Sequence, residues 1–168
     1  MKRGFTLIEI LFVLVLISVL MLMIFRFGSD RLGFFSAQVD RDISIGYVKD
    51  MIQRNMSTSF IGTGHYENMI ISFSSGSSVI GVKYMLGNHV IYEEESRDLS
   101  SAYWLIRDGD NYLVGLDLVY SPYKLACDIG YNGLSYEKIM LELNSSLYKY
   151  CWEMKSDNCM MARKDCYE

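Results

Sequence analysis

Two groups of residues have types and spacing that could do chemistry, and they lie at opposite ends of the chain. Near the start, Lys2 and Arg3 precede Gly4 and Phe5. The run from Phe5 to Phe25 is otherwise apolar and carries a single charge, Glu9. A carboxylate in hydrocarbon costs on the order of 2.5–3.5 kcal/mol even on a lenient insertion scale. Such a group is held only where a cation neutralises it, because a paired charge costs far less than an isolated one. In the last quarter of the chain stand Cys127, Cys151, Cys159 and Cys166. An even count of cysteines on the far side of a membrane segment points to disulfides in an oxidising compartment. Four cysteines allow three pairings, all open at this level. Zinc would need Cys or His pairs two to four residues apart. The gaps from Cys151 to Cys159 and on to Cys166 are longer, and no histidine lies nearby. No metal site is expected.

Other reactive side chains carry less. Asp108-Gly109-Asp110-Asn111 begins like a calcium loop, but Leu113 stands where the sixth-place glycine belongs and Val119 where the closing glutamate belongs. A hairpin turn is the expected role of Asp108 and Asp110, with calcium as the rival. Glu93-Glu94-Glu95 reads as a solvated strand end. His65 and His89 have no triad partner in view. A phosphate loop, a dinucleotide fingerprint and an HExxH helix are all missing from the sequence, so no enzyme and no cofactor is expected.

The elements that position these groups begin with the apolar run. About 20 apolar residues at 1.5 Å rise cross a hydrocarbon core of about 30 Å. A secretory signal would be shorter and end in small residues; Arg26-Phe27-Gly28-Ser29-Asp30-Arg31 offers no such site. Lys2 and Arg3 place the N-terminus in the cytoplasm. From Leu32 onward the chain stays helical and becomes amphipathic. Leu32, Phe35, Val39, Ile43, Tyr47 or Val48, Met51 or Ile52, and Met56 recur at steps of three to five and form the expected inward face. Asp40, Arg41, Lys49, Asp50, Gln53 and Arg54 fill the others. Helix from Phe5 to Ser57 would measure about 80 Å.

Beyond Gly64 the pattern turns to strands: Asn68–Ser74, Val79–Leu86, His89–Glu95, Ala102–Arg107, Asn111–Leu118 and Leu134–Leu143. Leu147–Trp152 is a short strand or a helical turn. Gly87-Asn88 and Asp108-Gly109-Asp110 mark hairpins. The expected fold is α+β, with one antiparallel sheet of four to six strands packed on the second half of the long helix and a cysteine-rich C-terminal loop. The organisation expected is 1–4 leader, 5–27 membrane helix, 28–60 amphipathic helix and 61–168 globular domain.

Arg3-Gly4-Phe5-Thr6-Leu7-Ile8-Glu9 resembles the class III prepilin signal of type IV pilins and of the pseudopilins of type II secretion and competence systems. The resemblance covers about the first 25 residues. It implies cleavage between Gly4 and Phe5 by a prepilin peptidase, with Gly4 presenting an unhindered scissile carbonyl, and N-methylation of Phe5. It also implies that Glu9 neutralises the N-terminus of a neighbouring subunit during assembly. Many pilins carry a helix-weakening Gly or Pro in the apolar half; here Ser18 and Gly28 are the nearest equivalents. The implied partners are other pilin subunits, the peptidase, an inner-membrane assembly platform and, before assembly, membrane lipid.

The expectation is thus a structural subunit, a minor one given its elaborate tail, of a type IV pilus or related filament. It would wait in the membrane and end in a periplasmic or cell-surface filament. A minor pseudopilin of a secretion or DNA-uptake system is the alternative within the family, and a membrane-anchored binding domain that never polymerises is the alternative outside it. The 16 basic side chains fall to 14 once Lys2 and Arg3 are removed, against 20 acidic ones. That balance gives no support for nucleic-acid binding by this subunit alone.

Overall fold

The computed structural model describes residues 7–96, 98–99, 102–124, 126–145, 148–157 and 159–166, apart from the side chains of residues 27, 29 and 30. The chain divides into two compact units, residues 1–35 and 36–168. One helix, α1 (Leu7–Ser57), supplies the described part of the first unit and opens the second. It ends for local reasons. Thr58 N–H and the Ser57 hydroxyl both donate to the Arg54 carbonyl, at 3.0 and 2.9 Å. The Thr58 hydroxyl then accepts from Phe60 N–H at 3.0 Å, which turns the chain out of the helix. The helix therefore stops at Ser57, the end expected for it.

In the second unit the inward face of α1 is Ala37, Asp40, Ser44, Val48, Met51 and Asn55, at steps of three and four. This corrects the expected stripe. Val48 and Met51 are buried as expected, but Leu32, Phe35, Val39 and Met56 are exposed, and Asp40, expected on a solvent face, is only 3% exposed. The Ser44 hydroxyl is satisfied by the Asp40 carbonyl at 2.8 Å. Hydrophobic periodicity marks apolar positions without saying which of them meet the chain's own core.

The strands are β1 (Phe60–Ile61), β2 (Gly64–His65), β3 (Asn68–Ser74), β4 (Ile80–Leu86), β5 (His89–Glu95), β6 (Ala102–Asp108), β7 (Asn111–Leu113), β8 (Gly115–Tyr120), β9 (Cys127–Tyr131), β10 (Leu134–Tyr136), β11 (Lys138–Ser145), β12 (Lys149–Lys155) and β13 (Ala162–Lys164). They form two antiparallel sheets, not one. The six-stranded sheet has the order β10-β9-β8-β3-β4-β5, the five-stranded sheet β13-β12-β11-β6-β7, and β1-β2 is a small ribbon.

Two expected strands each split between the sheets. Asn111–Leu118 breaks at Val114, so that β7 pairs with β6 and β8 pairs with β3. Leu134–Leu143 breaks at Glu137, leaving β10 on β9 and β11 between β6 and β12. After the first break, Gly115 lies under the Tyr131 ring, which a Cβ would strike.

Both sheets and α1 share one apolar core. Alternate residues of β3 (Met69, Ile71, Phe73) and β8 (Leu116, Leu118, Tyr120) enter it, as do Trp104 and Ile106 of β6 and Ile139, Leu141 and Leu143 of β11. Trp104 meets Phe73 edge to face at 5.1 Å and Trp152 at 5.9 Å. The β3–β4 turn joins the sheets: Gly76 N–H donates to the Trp104 carbonyl at 2.7 Å, and Trp104 N–H to the Ser77 carbonyl at 2.8 Å.

Candidate functional site

Taken by itself, the first unit is an apolar helix. Every described side chain from Leu7 to Arg26 is exposed. The segment is long and apolar enough to cross a membrane, by length and composition. Ser18, the one hydroxyl between Leu7 and Phe25, donates to the Leu14 carbonyl at 2.8 Å. An internally satisfied hydroxyl adds little cost in hydrocarbon. Glu9 stands in the first turn of α1 as described, where the positive end of the helix dipole favours a carboxylate. Gly4 and Phe5, the expected cleavage and methylation positions, lie outside the described residues, as do Lys2 and Arg3.

The four cysteines are brought together as two bridges. Cys127, at the start of β9, joins Cys159, and Cys151, in β12, joins Cys166; the Cα–Cα separations are 5.7 and 5.3 Å. These two bridges overlap in sequence, so the tail from Lys155 to Cys166 is tied to both sheets. Cys159 has φ of 50°, a left-handed conformation unusual for a residue with a Cβ. Its surroundings fix it there: Cys159 N–H donates to the Lys155 carbonyl at 2.8 Å, and the buried Tyr120 hydroxyl donates to the Cys159 carbonyl at 3.1 Å. Burial pushes the Tyr120 hydroxyl well above the usual tyrosine range.

Asp108-Gly109-Asp110 forms the turn between β6 and β7, with Asp108 paired to Asn111 and Gly109 at φ of 59°. Arg107 closes it by donating from Nε to the Gly109 carbonyl at 3.1 Å. Its Nη1 reaches Glu142 at 2.9 Å, and that carboxylate is 2% exposed. Among the described residues no group of three His, Cys, Asp or Glu side chains could hold a metal ion. His65 packs against Phe60 at 5.3 Å, while His89 begins β5 on the surface. Glu93 pairs with Lys83 at 3.2 Å, and Glu94 accepts from the Tyr84 hydroxyl at 2.9 Å.

Sequence reasoning passed over a polar and aromatic flank beside α1. Tyr47, Tyr66, Tyr84 and Tyr92 gather near Arg54 and Glu94. Burial, with the Glu94 charge adding, pushes the Tyr47 hydroxyl up to about 12. Burial and the bond to Glu94 push Tyr84 further in the same direction. The sequence holds thirteen tyrosines, and no spacing rule groups residues 47, 66, 84 and 92. On the opposite flank of α1, Ile52, Met56, Met160 and Met161 line an open cleft of about 380 Å³.

Residues 1–25 match the family model described as the prokaryotic N-terminal methylation motif. No curated protein and no solved structure matches the chain. The matched stretch holds Gly4, Phe5 and Glu9 and runs into the exposed apolar helix, and the fold that follows is α+β with C-terminal disulfides. Residues 1–25 thus carry the N-methylation motif that is the class III prepilin signal of type IV pilins and pseudopilins, at the head of a pilin-like α+β fold.

Proposed function

We propose that the chain is a minor subunit of a type IV pilus or related filament, stored in the membrane through residues 5–27. A prepilin peptidase cleaves after Gly4 and methylates Phe5, and an assembly platform then draws the subunit into a helical stack of pilin subunits. The observation that carries this reading is Glu9 on an otherwise apolar, fully exposed helix behind a methylation motif. A plain anchor has no use for that carboxylate. A subunit that must leave the bilayer for a packed bundle of helices does, because the new amine at Phe5 of a neighbour needs a counter-charge. The four-cysteine tail, more elaborate than a bulk subunit requires, supports a minor role.

Glu9→Val tests the reading. The variant should insert and be cleaved like the parent, yet fail to enter filaments sheared from cells. Normal incorporation of Glu9→Val would remove the assembly role of Glu9.

A further inference from the structure

Each sheet ends on strands with one unpaired side, and two of these edges carry opposite charge. Strand β5 closes the six-stranded sheet and reads His-Val-Ile-Tyr-Glu-Glu-Glu. Strand β13 closes the five-stranded sheet and reads Ala-Arg-Lys. Among the described residues no strand pairs with the outer side of either. The two remaining edges, β10 (Leu-Ser-Tyr) and β7 (Asn-Tyr-Leu), carry no formal charge.

Strand β5 is unusual for an edge. Val90, Ile91 and Tyr92 are 49%, 38% and 46% exposed, so apolar side chains meet solvent along its middle. Edge strands that stay solitary are short, covered, charged, bulged or interrupted by proline; β5 has the charges of Glu93–Glu95 and one irregularity in its pairing, but leaves the apolar residues beside them open. This one is seven residues long and has no proline. Its register shifts near Tyr84 and Met85, but pairing is regular again from Tyr92 to Glu95. A ladder could therefore be extended over Glu93, Glu94 and Glu95. Glu93 and Glu95 share a face by the two-residue period, and Glu93 is partly answered by Lys83. Glu95 is exposed and has no ion-pair partner among the described residues. All three residues of β13 are exposed.

The two edges cannot meet within one molecule. At 100° per residue, Tyr47, Asp50 and Arg54 lie on one side of the buried stripe of α1, and Ile52 and Met56 on the other. Tyr47 stands close to Glu94 and Tyr92 of β5. Ile52 and Met56 stand beside Met160 and Met161, which lead into β13. The acidic and basic edges therefore occupy opposite flanks of the same helix.

We propose that β5 of one subunit is extended by β13 of a second copy of this chain, acidic edge to basic edge. The contact is heterologous: each copy offers one edge and keeps the other free, so it repeats head to tail instead of closing a pair. It goes beyond the reading above, because it needs neither cleavage nor Glu9. A minor subunit that makes it enters a filament as a short run of copies.

The test uses the full, uncleaved chain in cell membranes, with a photo-crosslinking phenylalanine analogue in place of Ile91. Illumination should give a dimer whose adduct maps to residues 160–165 of the second copy. Glu95→Lys alone, or Arg163→Glu alone, should lower the yield about fivefold, and the two together in one chain should restore it. Absence of a dimer overturns the proposal. So does an adduct on β5 itself, on any other segment of the chain or on a different protein, or a yield indifferent to both charge reversals. Because the leader is still attached, failure of the pilus reading would leave the cross-link in place.

Discussion

Removing the Cys127–Cys159 bridge measures what ties the tail down. In Cys127→Ala/Cys159→Ala the unfolded chain regains the freedom of a loop spanning 32 residues, and in Cys151→Ala/Cys166→Ala of one spanning 15. The loop-entropy relation gives about 3.7 kcal/mol for the first and about 3 kcal/mol for the second. Cys127, Cys159 and Cys151 are all buried, so lost packing adds to both figures. The assay is intrinsic fluorescence in urea on the full chain in detergent. The chain has two tryptophans, Trp104 and Trp152, and both are buried in the globular unit, so the signal reports that unit alone. With a urea slope of about 2 kcal/mol/M, the midpoints should fall by about 1.8 M and about 1.5 M. A fall below about 0.5 M for either double variant would refute the reasoning, since the tail would then be held by other contacts. A larger loss from the shorter loop would refute it equally.

Two other outcomes concern buried polar groups. Arg107→Met leaves the Glu142 carboxylate buried and unpaired and should cost about 3–5 kcal/mol, read as the same urea midpoint; a loss under about 1 kcal/mol would show that Glu142 finds water or another donor. For the tyrosines the sign is set by hydroxyls whose folded values lie above the ordinary 10. The unfolded chain loses those protons first, so the stability they carry is complete below about pH 10 and is lost as pH rises through the folded values, about 12 for Tyr47. The urea midpoint should drop from about pH 10 upward, and less steeply in Tyr47→Phe; a flat profile to pH 12 would contradict this.

The sequence was most legible where local chemistry is self-sufficient. Strands β3 and β5 were predicted to the residue, because Ser75-Gly76 and Gly87-Asn88 bound them with turn chemistry, and the burial of β3 alternates cleanly. The long helix was legible from its apolar run and from Ser57-Thr58-Ser59 at its exit. What failed was anything decided by distant contacts. Val114 and Glu137 look like ordinary strand residues; they become sheet-switching points only because β6 and β3 claim opposite sides of the first break, and β9 and β6 opposite sides of the second. Strand β9 went unread because Asp128 and Gly130 interrupt its pattern and a bridge at Cys127 holds it. Asp40 was placed outside and lies inside, since periodicity cannot tell a helix face meant for a sheet from one meant for solvent or other subunits. The bridges followed neither order nor spacing: of three possible pairings the fold takes the overlapping one, in which the tail crosses from β9 to β12. The role proposed for Glu9 rests on Gly4, Phe5 and the apolar residues around it, all within one short stretch matched by the methylation motif.

The central claim is that residues 1–25 are a substrate and an assembly element, not a permanent anchor. Intact-mass measurement of the chain, produced in the same cells with and without a prepilin peptidase, tests it most directly. With the peptidase the mass should fall by the four residues Met1 to Gly4 and rise by one methyl group on Phe5, and a bulky substitution of Gly4 should abolish both changes. A chain that keeps Met1 to Gly4 in the presence of an active peptidase, or that is cut elsewhere, would contradict the account.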